Sequence, residues 1–255
     1  MVANWNAAVR ASSGTHVVLA GQDDVLGPSF LQRAKAQCGD DVAAVACANT
    51  YIDDQGTQVR PRLRVNHRLR LYASQGAYKI PAELLVELGL RNGNIIGEPA
   101  CVLFRREAFE RVGGYDPFLE HATDLDFALR LLDTGAIVYL NEALVARRLH
   151  TESATNQNIR SGAAARDRHR LYHRYRSRLT RHGDHRVRVS LAARAAKDVL
   201  LGLRTGNLAL AGLAIGLSWR AIRSWPPCGR AILELMRELA TGHNADTRAL
   251  QSYRC

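Results

Sequence analysis

The stretch Gly21–Pro28, GQDDVLGP, decides the fold prediction for this chain. It follows the apolar run His16–Ala20, HVVLA, whose length and β-branched residues predict a buried strand. Pro28 then precedes an amphipathic segment, and proline at the first helical position is a helix start signal. The order strand, acidic loop, helix is typical of open α/β sheets. In such sheets, ligands collect beyond the carboxyl ends of the strands.

Two adjacent carboxylates, Asp23 and Asp24, stand in this loop where the predicted strand ends. Paired carboxylates at such a place can hold a hard divalent cation that also contacts the phosphates of a substrate. A solvated acidic turn has the same composition, because aspartate is a frequent turn residue. The spacing alone leaves both interpretations open.

Composition narrows the class of protein and its partners. The chain has 255 residues and a formal net charge of +11, which favours polyanionic or membrane-surface partners. Its five cysteines are scattered and lack metal-ligand spacing, which indicates reduced thiols in the cytoplasm. No run reaches the roughly 18 consecutive apolar residues of a membrane-spanning helix.

The character of the sequence changes in its second half. Residues 1–155 combine strand and helix patterns and predict an α/β domain, whereas residues 156–255 predict an all-helical basic region. The arginine-rich part of that region is either a solvated helix face or a surface that binds acidic lipid or nucleic acid.

Three further places could carry chemistry. Asp124 and Asp126 stand at a predicted helix start, where a carboxylate can cap the helix or act as a general base. Gly97–Pro99 is either an ordinary turn or a place where backbone closely approaches a ligand. His150 is a packing residue, or a metal ligand if the chain returns it to Asp23.

Taken in order, these pieces resemble the family-two inverting glycosyltransferases, which have the A-type glycosyltransferase fold. The resemblance covers residues 4 to about 155. It rests on the helix before Gly14, the metal loop at Gly21–Leu26, the acceptor-side strand at Gly97–Arg106, the glycine turn Val112–Asp116, the helix start Thr123–Asp126 with Arg130, and the R-x-H element of Arg148 and His150.

The resemblance implies a single displacement that inverts the anomeric carbon of a nucleotide-diphosphate sugar. Asp23, with Asp24 beside it, would coordinate a divalent metal, Mg²⁺ or Mn²⁺, on the diphosphate, and Asp124 would deprotonate the acceptor hydroxyl. The other roles implied are substrate binding for Gly97, Pro99, Arg130 and Asp126, and a metal role for His150.

Two departures from the family pattern matter. Gly21 replaces the first metal-loop aspartate of many relatives, and Thr123 replaces a glutamate. The resemblance also implies that about two βα units, with the base and ribose contacts, are missing before the first helix.

Two hypotheses follow. The first is a glycosyltransferase of cell-surface polysaccharide or glycolipid synthesis, cytoplasmic or peripheral at the inner membrane face. It would use a nucleotide-sugar donor and a saccharide or lipid-linked acceptor, with no nucleic acid partner. The alternative is a non-catalytic remnant or interaction protein that binds a membrane surface or polyanions through its basic tail.

Overall fold

The computed structural model describes residues 1–59, 76–149 and 154–223, except the side chains of 154–156 and 218–223. The chain divides into two compact units, the first being Met1–Asp184 and the second beginning at His185. The boundary predicted between residues 155 and 156 therefore falls inside the first unit.

The described part of the first unit contains one mixed sheet of seven strands. Its path is β1-β6-β3-β7-β2, with β4 paired to β3 and β5 paired to β7. The central pair β3–β7 is parallel and the other pairs are antiparallel. The strands are β1 His16–Val17, β2 Val25–Leu26, β3 Val42–Ile52, β4 Gln58–Val59, β5 Ala77–Ile80, β6 Val102–Arg105 and β7 Ala136–Arg148.

Helices lie between the strands and follow the last one, which confirms the predicted α/β class. Among the described residues, none of these helices is both long and apolar enough to cross a membrane. The α-helices are α1 Val2–Ala11, α2 Phe30–Lys35, α3 Ala82–Asn92, α4 Arg106–Arg111, α5 Thr123–Leu131, α6 Ala154–Arg160, α7 Ala163–Tyr175, α8 Arg181–Arg204 and α9 Leu208–Arg223, and short 3₁₀ turns cover Pro99–Cys101 and Arg176–Arg178.

Apolar side chains of the central strands pack in two groups. One group contains Phe30 of α2 together with Val45, Cys47 and Leu103 of the sheet, all buried. The other group is aromatic and includes Phe127 of α5, whose ring centroid lies 5.1 Å from Phe104 and 4.2 Å from Tyr115. Aromatic pairs at such separations add to the stability that burial supplies. This second group joins α5 to the sheet.

The glycine turn at residues 113–116 is fastened to the first helix. The Asn6 amide donates to the Tyr115 carbonyl at 2.9 Å and its oxygen accepts the Tyr115 N–H at 2.9 Å. Gly114 has φ +77°, and a Cβ there would lie 2.8 Å from the Asn6 oxygen. Glycine is needed at position 114 because both the backbone conformation and the space exclude a side chain.

The strand predicted over His16–Ala20 is too long, because β1 covers only His16–Val17 and ends several residues before Asp23. Two further predicted element bounds are also wrong. The apolar run of residues 136–140 predicts a strand that ends at Leu140, but the strand continues to Arg148, so Arg147 and Arg148 lie within it. The pairing jumps from Cys47↔Leu140 to Ala48↔Ala143, so β7 bulges at residues 141–142. The polar residues in that bulge interrupt the apolar run, and for this reason the sequence pattern predicts that the strand ends before them.

Residues 60–79 have no clear periodicity and predict an irregular loop, but Ala77–Ile80 forms β5 and pairs with β7. Residues 60–75 lie outside the described residues. Residues 51–59 predict a hairpin with Gly56 at its turn, and this is confirmed, since β4 pairs with the end of β3 and Gly56 has φ +83°.

Four of the arginines that follow β7 pair with acids of the same unit. The pairs made by Arg166 and Arg174 hold α7 against α5 and the loop before it. The pairs are Arg166–Glu120 at 3.1 Å, Arg170–Asp167 at 3.0 Å, Arg174–Asp126 at 2.6 Å, Arg174–Asp116 at 2.9 Å and Arg178–Asp133 at 2.7 Å.

Candidate active site

The backbone just before helix α5 is hydrogen-bonded to a carboxylate that is distant in the sequence. The fully buried Asp167 of α7 accepts the N–H groups of residues 120, 121 and 122 at 2.8, 2.7 and 3.2 Å. Thr123, the first residue of α5, donates its hydroxyl to the Leu119 carbonyl at 3.1 Å. The entry to α5 is therefore held by hydrogen bonds from two sides, which sets the direction in which Asp124 projects.

Asp124 is half-buried in the first turn of α5, and each of its carboxylate oxygens has a neutral donor. Asn94 donates its side-chain amide to Oδ2 at 2.6 Å, and the Leu125 N–H donates to Oδ1 at 2.7 Å. The sequence placed Asp124 at the helix start as a possible cap, but the N-cap is Ala122, and Asp124, the second helical residue, accepts the N–H of Leu125.

Asp124 holds its proton more tightly than an ordinary aspartate. The pKa of Asp124 is raised to about 7, mainly by burial and also by the negative charge of Glu98, whereas the Asn94 hydrogen bond acts in the opposite direction. A carboxyl group that titrates near neutral pH can accept and release a proton under working conditions.

A small cavity opens beside this carboxyl group. Its lining is mostly apolar, with the Asp124 carboxylate and the Tyr115 hydroxyl as the polar side-chain groups. The lining residues are Ile96, Gly97, Pro99, Val102, Tyr115, Asp124, Phe127, Ala128 and Leu131. Two residues predicted to bind substrate, Gly97 and Pro99, thus lie together with the predicted base.

Asp126 has a different environment. It is fully buried and accepts from Arg130 Nε at 2.7 Å, from Arg174 at 2.6 Å and from the Tyr175 hydroxyl at 2.8 Å. Arg130 also donates to the carbonyls of Val112 and Gly114. Asp126 and Arg130, both predicted to bind substrate, therefore join α5 to α7 and to the glycine turn.

The metal-loop carboxylates lie at the edge strand β2. Val25 pairs with Ala146 of β7, so Asp24 falls opposite Arg147. Burial and the nearby charges of Glu98 and Asp23 raise the pKa of Asp24, against the opposing effects of Arg147 and a backbone hydrogen bond with Arg148. Asp23 and Asp24 are both half-buried.

Glu98 and Arg147 connect the two acidic places. Arg147 forms an ion pair with Glu98 at 2.8 Å, and its guanidinium lies 5.6 Å from the ring centroid of Tyr51. The charge of Glu98 acts on both Asp24 and Asp124. The structure therefore brings the predicted metal loop and the predicted base into one electrostatic neighbourhood.

The described residues contain no group of three or more His, Cys, Asp or Glu side chains placed to hold a metal ion. Mg²⁺ is commonly held by one or two carboxylates, with water and substrate phosphates completing the shell. Asp23 and Asp24 fit that smaller requirement. His150, the third predicted ligand, lies outside the described residues.

Three site residues were missed by the sequence analysis. They are Asn94, Glu98 and Arg147. Their hydrogen bond and ion pair are made with residues that are 30 or more positions away in the sequence. The one local signal was the position of Glu98 between Gly97 and Pro99, a turn that was considered only for its backbone.

Known proteins resemble this chain only weakly. No family model matches the chain. The uncharacterized protein MT1568 of Mycobacterium tuberculosis (strain CDC 1551 / Oshkosh) is 26% identical over 169 residues, which are 66% of this chain and 53% of that protein. The chain therefore spans about half the length of the curated relative it matches.

The chain is also similar to solved structures. The crystal structure of S. aureus TarS 1–349, a family-two glycosyltransferase, superposes with a TM-score of 0.42 at 13% identity, over 86% of this chain and 70% of that one. Because the identity and the TM-score are this low, the similarity carries no argument about the reaction, which must be inferred from the side chains of this chain.

Proposed function

We propose that this chain acts in glycosyl transfer, moving a sugar from a nucleotide-diphosphate sugar to an acceptor hydroxyl with inversion. The observation that carries the proposal is Asp124, a carboxyl group with a pKa of about 7 beside an apolar cavity. Its oxygens are held by neutral donors, so it stays able to take a proton. Inverting transfer requires one such base.

The reaction would be a single displacement. Asp124 takes the proton from the acceptor hydroxyl as the oxygen bonds to the anomeric carbon. The bond from that carbon to the diphosphate breaks, and the nucleoside diphosphate leaves with the electron pair. A positioned base of this kind contributes about 10²–10⁴-fold to the rate.

Asp23 and Asp24 are the residues that would hold a divalent cation, Mg²⁺ or Mn²⁺, which would neutralise charge on the departing diphosphate. Glu98 and Arg147 lie between this loop and Asp124 and set the local charge. Arg147 also keeps its guanidinium against Tyr51, which fixes the charge in place.

The finer parts of the proposal extend the family resemblance. They are a saccharide or lipid-linked acceptor, a role in cell-surface polysaccharide or glycolipid synthesis, and a place in the cytoplasm or at the inner membrane face. The alternative, a non-catalytic protein that binds polyanions, relies on the basic tail. Arg166, Arg170, Arg174 and Arg178 of that tail pair with acids of their own unit, so the surface that this alternative needs would come from the other arginines of the tail.

The test is a panel of nucleotide sugars (UDP, dTDP and GDP donors) offered to the purified chain with Mn²⁺ or Mg²⁺ and mixed saccharide acceptors. Release of nucleoside diphosphate is measured. Asp124→Asn should lower turnover of the accepted donor by about 10²–10⁴-fold, while calorimetry shows unchanged metal-dependent donor binding.

Asp133→Asn is the matched control, because Asp133 lies just after the same helix and pairs at the surface with Arg178. It should leave turnover unchanged. Absence of turnover with every donor would overturn the proposal, and so would an Asp124→Asn variant as active as the wild type.

A further inference from the structure

We propose that Asn94 is the positioning residue of the Asp124 base: its side-chain amide holds the carboxylate in one orientation and ties it to the backbone that lines the cavity. This inference rests on the proposed function for its catalytic meaning. The placement of Asp124 by Asn94 stands on the geometry alone.

Asn94 lies where the chain changes direction after α3. The helix ends at Asn92, and Gly93 has φ +88°, a conformation that lets the chain leave the helix sharply. Asn94 is half-buried and is followed by the buried residues 95–97. The turn therefore delivers its side chain to the cavity wall.

The amide group of Asn94 makes three hydrogen bonds. Its nitrogen donates to Asp124 Oδ2 at 2.6 Å and also to the Gly97 carbonyl, and its oxygen accepts the Ile96 N–H at 3.2 Å. Ile96 and Gly97 both line the cavity that Asp124 faces. One side chain thus joins the carboxylate to the backbone of residues 96 and 97.

A neutral donor suits a base better than a charged one. An arginine or lysine in the place of Asn94 would favour the ionised carboxylate strongly and make it a poor proton acceptor. Asn94 stabilises the ionised form more weakly, against burial and the charge of Glu98, which both favour the protonated form. The balance of these effects keeps the pKa of the Asp124 carboxyl group near neutral pH.

The variant Asn94→Ala removes the donor and leaves Asp124 in place. The pH midpoint of the Asp124 carboxyl, followed by carbon-13 NMR and assigned by its loss in Asp124→Asn, should move upward by about one pH unit. Asn92→Ala is the control, since the nitrogen of Asn92 is buried without a hydrogen-bond partner among the described residues. Its Asp124 midpoint should equal that of the wild type.

Turnover gives a second and separate readout. In Asn94→Ala, kcat at pH 7 should fall about tenfold and recover in part at higher pH, while KM for the donor stays unchanged. A merely structural role would lower kcat equally at every pH.

The two readouts separate the two claims. An unchanged Asp124 midpoint in Asn94→Ala overturns the role of Asn94, whatever the activity. A raised midpoint in a protein that turns over no nucleotide sugar supports the placement of Asp124 by Asn94 and overturns the proposed function instead.

Discussion

Asp124 and Asp126 lie two residues apart in the first turn of one helix and have opposite surroundings. Asp124 faces a cavity, is held by an amide and a backbone N–H, and has a pKa raised to about 7. Asp126 is fully buried and saturated by Arg130, Arg174 and Tyr175. Residues two apart on a helix point in different directions, so each carboxylate meets a different set of elements.

The difference separates two uses of the same side chain. Two arginines neutralise Asp126 and make it a junction between α5, α7 and the glycine turn. Asp124 lacks a cationic partner among its hydrogen-bond donors in the described residues, so its charge is not tied up in structure. Identical residue types in one short motif therefore require separate structural accounts.

The largest expected effect is on stability, from the saturated member of the pair. Asp126→Asn leaves Arg130 and Arg174 without their buried counter-charge and should lower the free energy of unfolding by about 3 kcal/mol. The loss is measured as a shift of the urea unfolding midpoint of the first unit. Full retention of stability would show that the network around Asp126 is not a structural junction.

Asp124→Asn supplies the contrast in the same experiment. Because the folded protein raises the pKa of Asp124 above its unfolded value of 3.8, ionisation of this group removes stability as pH rises from about 4 through about 7. The variant should lack that loss and equal or exceed the wild type in stability above pH 7. A variant that is clearly less stable at pH 8 would contradict the assignment of a raised pKa.

The next largest effect on stability is expected at the glycine turn. The Gly114 carbonyl accepts a hydrogen bond from Arg130, which in turn pairs with Asp126. Gly113→Ala and Gly114→Ala form a matched pair, since both glycines have φ +77°. A Cβ at position 113 meets open space, whereas one at position 114 meets the Asn6 oxygen at 2.8 Å and Phe109 at 2.9 Å.

We expect Gly113→Ala to lower the free energy of unfolding by about 1 kcal/mol through backbone strain alone. Gly114→Ala should lower it by about 1–2 kcal/mol more, because Asn6 and Phe109 must also move. Thermal unfolding of both variants measures the difference. Equal losses would mean that the contact of Gly114 with the first helix contributes nothing.

The smallest effect concerns the environment of Asp124. Glu98→Gln removes a negative charge that raises the pKa of Asp124, so the acidic limb of the pH–rate curve should move to lower pH. The pairing of Glu98 with Arg147 limits the change, and we expect turnover at pH 6 to rise about threefold. A limb that moves to higher pH would show that Glu98 acts on Asp124 by another route.

The sequence allowed part of this site to be predicted. Asp124 was correctly placed at a helix start, because that inference needs only a local pattern. Asp23 and Asp24 were predicted at the end of the strand that begins at His16, but that strand ends at Val17 and the two aspartates precede β2 instead. The structure locates Asp124 and Gly97 at one cavity and leaves the roles assigned to them as predictions.

The remainder depended on distant contacts. The opposition of Asp24 and Arg147 follows from the register of β2 on β7, and the β7 strand was predicted to end before that point. Asp167 accepts hydrogen bonds from the backbone before α5, although it lies more than 40 residues further along the chain. Its segment is rich in arginine and was therefore predicted to belong to a separate basic region. Pairings of this length leave no local pattern to find.

The measurement that tests the central claim most directly is turnover of the accepted nucleotide sugar from pH 5 to pH 9, by the wild type and by Asp124→Asn. A base with a pKa of about 7 predicts a wild-type rate that rises through neutral pH and levels off above it. The variant should show only a low rate without that rise. A variant that keeps the wild-type profile, or a wild-type rate that is already level from pH 5, would contradict the assignment of Asp124 as the base.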